Sequence, residues 1–143
     1  MNVLAIQSSG DQTSVCVIYN DDLISFSINH ERKDRPDWNK LLTKIGLNSI
    51  FTLENITVFC YANSSGSYTA TRSVASYMKG IAIALKKPLI AVKTEQIDNL
   101  TADSVAKIAM QQFEDSGKNT KAFIAAKANP IYATDPQYKK INE

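Results

Sequence analysis

The residues best suited to chemistry lie in two turns. Gln7-Ser8-Ser9-Gly10-Asp11 follows a first apolar run, and Asn63-Ser64-Ser65-Gly66-Ser67 leads from a later one into a helix-patterned stretch. In many ATPases and nucleases the first strand ends in an Asp that holds a divalent metal. Here that position is Gln7, and a neutral amide is a poor ligand for a hard cation, which needs anionic oxygens to offset its dehydration. Asp11 stands close by, but Asp is frequent in turns for reasons of backbone geometry. The second turn could cradle a phosphate on free backbone N–H groups. It lacks both the Gly-Lys-Ser/Thr ending of a P-loop and a G-x-G-x-x-G pattern, so helix capping by Ser65, Ser67 or Thr69 is the simpler expectation. His30, the single histidine, sits among charged residues and is expected at the surface. Asp21 and Asp22 form a carboxylate pair inside a tight turn, and no G-x-S-x-G elbow is present. No acid, base and nucleophile come together. The sequence therefore predicts a chain with no catalytic residue, no metal and no cofactor.

The totals narrow the class further. A chain of 143 residues suggests one domain, with at most a rudimentary second. The net charge of +2 is too small to argue for direct nucleic-acid binding. Basic residues are also scattered: Arg32, Lys33 and Arg35 alternate with acids, while Lys86–Lys87 and Lys139–Lys140 stand as isolated pairs. Cys16 and Cys60 lie inside apolar runs without C-x-x-C spacing, so both are expected as small buried hydrophobes rather than a disulfide or zinc site. Met1–Ser9 has no basic region before its short apolar core, and no apolar stretch approaches the ~20 residues of a membrane span. A cytoplasmic protein without membrane contact is expected.

Three apolar, β-prone runs come first, over Asn2–Ser8, Thr13–Tyr19 and Leu23–Ile28. Short turns join them, so they are predicted as antiparallel neighbours. The period then changes: Trp38, Leu41, Leu42 and Ile45 mark one stripe of a short helix ended by Gly46. Ile56–Ala62 reads as a buried strand, Tyr68–Lys86 as a long helix stopped by Pro88, and Leu89–Val92 as a short strand. A last helix is predicted from Thr101 to Glu114, then strands over Lys121–Ala126 and Pro130–Thr134. This order predicts an α/β fold: a mixed five-stranded sheet with flanking helices.

The Tyr68–Lys86 helix carries two stripes. Val74, Met78, Ile81 and Leu85 are apolar; Ser73, Ser76, Tyr77, Gly80 and Ala84 are mostly small. An interior Gly costs a helix ~1 kcal/mol relative to Ala, so Gly80 suggests a close approach by another backbone. That backbone belongs either to a partner or to the same domain.

A resemblance bears on this choice. Gly66-Ser67-Tyr68-Thr69-Ala70-Thr71-Arg72 opens the long helix, followed by Lys79-Gly80-Ile81-Ala82-Ile83-Ala84-Leu85 and then Pro88-Leu89-Ile90-Ala91-Val92. This segment resembles the Gly-Ser-Phe-Thr-Gly-x-Arg motif, Ala/Leu-rich helix, Pro and short strand of the TsaB (YeaZ) family. Val3–Ser9 resembles the same family's first strand, and Ala128-Asn129-Pro130-Ile131-Tyr132 its Glu-Pro-x-Tyr-Leu tail. The chain departs from the pattern at Gln7, Ser65 and Ala70, and its second subdomain looks much reduced.

The resemblance implies a ribonuclease-H-like, actin-like ATPase half as residues 1–100, with 101–143 as a reduced C-terminal subdomain of one helix and short strands. It implies a non-catalytic adaptor that binds TsaD, the subunit placing threonylcarbamoyl on the tRNA adenosine beside the anticodon, with TsaE joining that pair. tRNA would then be met only indirectly. The implied interface is a helix bundle using Trp38, Leu41, Leu42, Ile45, Ser73, Ser76, Tyr77, Gly80 and Ala84, near the motif residues Gly66, Ser67, Tyr68, Thr69 and Arg72. Two alternatives stand beside it: a self-associating homodimer that has lost TsaD, and a residual ATPase or peptidase-like enzyme.

Overall fold

The computed structural model describes residues 1–34, 36–64, 68–95, 97 and 100–130. Five strands, β1 (Val3–Ser8), β2 (Gln12–Tyr19), β3 (Asp22–Asn29), β4 (Val58–Asn63) and β5 (Leu89–Lys93), form one sheet in the order β3-β2-β1-β4-β5. The first three pair antiparallel, and β4 joins β1 and β5 in parallel. This is the α/β mixed sheet expected from the order of elements. Asn20 and Asp21 both take positive φ (52° and 69°) between the paired Tyr19 and Asp22. Two positive φ values are what a tight hairpin needs to match strand twist, and Asn and Asp tolerate them best after Gly.

Every residue of β1 and β4 is buried, so both faces of the sheet must be covered. Leu4, Ile6, Val15, Val17, Phe59, Tyr61 and Leu89 face one side, under α1 (Trp38–Lys44) and α2 (Tyr68–Leu85). Val3, Ala5, Cys16, Val58, Cys60, Ala62 and Ile90 face the other, under α3 (Ala102–Asp115). The second side is built from small residues on both partners, since α3 contributes Ala102, Ala106 and Ala109. Cys16 and Cys60 act there as small apolar fillers, as their sequence setting suggests.

The helices carry local stop and start signals. The Asp37 carboxylate accepts the Lys40 N–H at 3.1 Å and starts α1, while Gly46 at φ 113° ends it. A side chain there would strike Ile50 at 2.8 Å, so Gly46 is required by space as well as by conformation. At the end of α2, the Lys87 N–H reaches the Ala82 carbonyl and the Lys86 N–H that of Ile83, with Lys86 at φ 57°. That is a left-handed cap of Schellman type.

One expected strand is corrected. Residues 121–126 form 3-10 turns, Thr120–Phe123 and Ala125–Lys127, and not a strand. The segment is alanine-rich, which favours strands weakly, and the Asn119 side chain caps the Lys121 N–H at 3.0 Å, which starts a turn. It is held by side chains: the Tyr61 hydroxyl donates to the Ala128 carbonyl at 2.9 Å, and Lys79 donates to Asn129. Of the strand expected over Pro130–Thr134, residues 131–134 lie outside the described residues. Among the described residues no helix is long and apolar enough to cross a membrane.

A buried polar knot ties α3 to the sheet. The Ser14 hydroxyl donates to Gln7 Oε1 at 2.7 Å and accepts the Ala102 N–H at 2.8 Å. Ser14 and Ala102 are 0% exposed and Gln7 is 1%, so water cannot replace these bonds. Ser14→Ala should therefore lower stability by about 1–3 kcal/mol, the usual cost of orphaning buried polar groups, as read by urea denaturation. A loss under a few tenths would mean the knot is dispensable.

The thiols give a second test. Burial, with Asp103 adding to it and Lys107 partly offsetting it, pushes Cys16 up to about 12 from 9.0. Burial likewise raises Cys60 well above its ordinary value. A raised thiol keeps its proton in the fold, so its contribution is intact below the ordinary value and is lost as pH rises towards 12. Neither thiol should react with Ellman's reagent near pH 8 until the chain is unfolded, and stability should fall on the alkaline side. Rapid native reaction of one thiol would contradict its buried placement.

Candidate functional site

The inner stripe of α2 is consumed by the core. Val74, Ala75, Met78 and Ala82 are buried against β1 and β4, with Ile81 and Leu85 packed at the margin. The opposite stripe is open. Ser76, Gly80 and Ala84 are exposed, Ser73 and Tyr77 are half-buried, and Ile83 at the stripe's edge is 52% exposed. A Cβ built on Gly80 meets nothing within 4 Å. Among the described residues no backbone approaches Gly80, so the packing of Gly80 inside its own domain is not seen there.

The helix α1 closes one flank of that stripe. Trp38 is half-buried, and its ring lies 6.1 Å from that of Tyr77 at 41°, a tilted pair. Aromatic pairs of this geometry add ~0.5–1.5 kcal/mol beyond their buried area. Burial and the Asp37 carboxylate both raise the Tyr77 phenol above its ordinary value, so the ring keeps its proton and its hydroxyl. Leu41, Leu42 and Ile45 point the other way. They are 6%, 0% and 1% exposed and join Phe51, Ile56 and Val74 in the core, so the expectation of a partner role for these three is corrected to a core role. The periodicity marked a buried stripe correctly; what it could not say is which surface buries it.

The motif residues divide. Gly66 and Ser67 lie outside the described residues, as does Ser65, so capping by either serine falls there too. Tyr68 is the first residue of α2, and Thr69 and Arg72 are exposed on its first turns. A neighbour that the pattern did not flag, Thr71, is 1% exposed and donates its hydroxyl to the Ser64 carbonyl at 3.0 Å, fixing the entry into α2.

The end of β1 is polar, buried and internally satisfied. Gln7 faces Ser14, as above. On the other side of the strand Ser8 bonds Thr13 at 2.9 Å, and Thr13 bonds His30 Nε2 at 2.8 Å. His30 Nδ1 donates to the Glu31 carbonyl at 2.9 Å, so both ring nitrogens are engaged. His30 is half-buried and bound into the sheet end, where its charged neighbours had suggested simple exposure. Asp11 is exposed in the turn beside it, and its carbonyl takes the His30 N–H. Among the described residues no three His, Cys, Asp or Glu side chains converge. This arrangement orders strands; it does not gather anionic oxygens.

Comparison with known proteins gives a consistent result. Residues 27–130 match the family model described as "TsaD: tRNA N6-adenosine threonylcarbamoyltransferase". The chain is 25% identical over 141 residues to the tRNA threonylcarbamoyladenosine biosynthesis protein TsaB of Haemophilus influenzae, covering 99% of this chain and 56% of that one. Among solved structures, YeaZ from Pseudomonas aeruginosa superimposes with a TM-score of 0.62 at 18% identity, over 81% of this chain and 50% of that chain. A second, described as an uncharacterized protein with similarity to peptidase YeaZ from Pseudomonas aeruginosa, gives the same TM-score over 49% of its length. The chain spans about half the length of the relatives it matches.

Because Gly80 faces open space, Gly80→Leu should fold normally and raise the thermal midpoint slightly, gaining up to ~1 kcal/mol of helix propensity. A drop of several kcal/mol, the order of an overpacked core, would place this stripe inside the domain.

Proposed function

We infer from one premise, that the chain belongs to the TsaD (tRNA N6-adenosine threonylcarbamoyltransferase) family and to its TsaB (YeaZ) branch, that it takes part in making tRNA threonylcarbamoyladenosine as a non-catalytic, cytoplasmic adaptor. Its partner in this reading is TsaD, with TsaE acting on that pair and tRNA met only through them. The observation that carries the reading is the open stripe of α2. A helix interior that keeps a Gly with nothing over it among the described residues gives up stability for no gain seen there. A second helix laid on Ser76, Gly80 and Ala84 would restore the balance, because small residues let two helix axes approach closely. Trp38 and Tyr77 stand at the rim as large aromatic groups of the kind that anchor interfaces.

Catalysis is given no part in this proposal. The position where an ATPase of this fold keeps its metal-holding Asp is Gln7, whose oxygen already accepts from Ser14. The C-terminal residues 101–143 are proposed as a reduced subdomain, with α3 packed on the sheet and the short turns after it. Self-association through the same stripe is the competing outcome.

The test is co-purification with TsaD of the same cell, followed by sedimentation of the pair. Wild type should form a heterodimer; Gly80→Leu and Trp38→Ala should each weaken it about tenfold or more, with the circular dichroism of the free chain unchanged. Retained binding by both variants would remove this stripe from the interface. A wild-type chain that ignores TsaD yet sediments as a dimer sensitive to Gly80→Leu would replace the adaptor with a homodimer.

A further inference from the structure

A second surface lies where the last turn of α2 meets the segment 120–128. Two adjoining clefts of about 340 and 410 Å³ share Lys121, Phe123 and Ile124 as the ridge between them. Every charged residue that lines either cleft is a lysine: Lys86 and Lys87 on the helix side, Lys121 and Lys127 on the turn side. Among the described residues none of the four has a carboxylate within ion-pair distance. Lysines at a helix C-terminus answer its negative dipole, worth roughly half a charge. That accounts for Lys86 and Lys87, which follow the helix end, whereas Lys121 and Lys127 belong to the turn segment.

The cleft against the helix end, between Lys86, Lys87 and Lys121, has a mainly apolar lining. Only four large hydrophobic side chains are exposed among the described residues, and two of them, Ile83 at 52% and Ile124 at 46%, line the same cleft. Lys86 is also held at φ 57°, where glycine is the cheaper residue and a side chain costs roughly 1–2 kcal/mol in strain. The charge is thus kept at a place where the backbone favours its loss.

The geometry points to a docking site for an acidic segment of another protein, one that places aliphatic side chains against Ile83 and Ile124 and carboxylates against Lys86, Lys87 and Lys121. Lys86, Lys87 and Lys121, with no carboxylate in ion-pair distance among the described residues, flank an aliphatic cleft and complement such a segment in both charge and surface type. A nucleic acid fits less well. Single-stranded bases seek flat aromatic or guanidinium faces, and here the cations are all lysines while the Phe123 ring is turned onto Phe113 at 6.2 Å. The site adjoins the α2 stripe proposed above, where Ile83 lies at the edge, but Lys86, Lys121 and Ile124 are no part of that stripe, so their variants test it separately.

The test uses the full chain and a short fluorescent peptide of alternating leucine-rich and glutamate-rich turns, read by anisotropy and by amide NMR shifts. A glutamine version of the peptide and a labelled oligouridylate are run beside it. Saturable binding of the acidic peptide is expected, with shifts confined to residues around Ile83, Lys86, Lys121 and Ile124. Lys86→Gly should keep or raise the thermal midpoint while weakening that binding severalfold. Lys121→Glu should weaken it about tenfold, and Ile124→Ser should weaken it as well. The glutamine peptide should bind poorly. Oligouridylate binding that responds to the lysine variants but not to Ile124→Ser would make this an RNA surface and overturn the proposal. Failure of the acidic peptide to saturate, or equal binding by its glutamine version, would overturn it too.

Discussion

The structure depends on a first strand that water never reaches. β1 is buried along its whole length and on both faces, so the chain must supply a cover for each side before the sheet is stable. The two covers differ because the two faces differ. Leu4, Ile6, Phe59 and Tyr61 present bulk to α1 and α2, whereas Ala5, Cys16, Cys60 and Ala62 present a shallow surface on which α3 lies with its own alanines. Shallow apolar contact gives little positional information, and a polar bond supplies it. The Ser14 hydroxyl fixes the first turn of α3 against β2 and at the same time satisfies Gln7. Register on this face is set by a hydrogen bond, register on the other by interlocking side chains.

That division decides what remains for function. α2 spends its Val74–Met78–Ala82 stripe on the core and has a full second stripe left over, ending in Ile83 and the lysines of its cap. α1 is too short at 7 residues to be held by propensity alone. Its buried Leu41 and Leu42, with Ile45 at its cap, hold it down, and this frees Trp38 to sit at the rim beside Tyr77. Surface chemistry here is the remainder after two-sided burial of the sheet.

Most of the sheet was legible from hydrophobic period and turn chemistry: Asn20-Asp21 marks a hairpin, Gly46 a helix end and Pro88 the exit from α2. Three features were not. The run over 121–126 has the length and apolar content of a strand, but only alanine-level β preference and an Asn119 cap that no window average registers. Leu41, Leu42 and Ile45 show that periodicity identifies a buried stripe without naming what buries it. His30 shows the converse, since its charged sequence neighbours say nothing of the strand-end hydroxyl of Thr13 that it meets in space. The motif read from Gly66 to Arg72 pointed to the right family, yet the open space beside Gly80 among the described residues is something only coordinates reveal.

The end of β1 shows how a fold can keep a polar site and change its use. Ser8, Thr13 and His30 on one side and Gln7 and Ser14 on the other are polar groups in the place where this architecture carries metal chemistry in its ATPases. In this chain each has a hydrogen-bond partner within the fold. A carboxylate at position 7 would sit nearly fully buried beside the Ser14 hydroxyl without a cation, at a desolvation cost that one hydrogen bond does not offset. Glutamine presents an acceptor oxygen and carries no charge to bury. The amide oxygen accepts from the Ser14 hydroxyl, whose own oxygen takes the Ala102 N–H, so Gln7 belongs to the hydrogen-bonded knot that fixes α3 against the sheet.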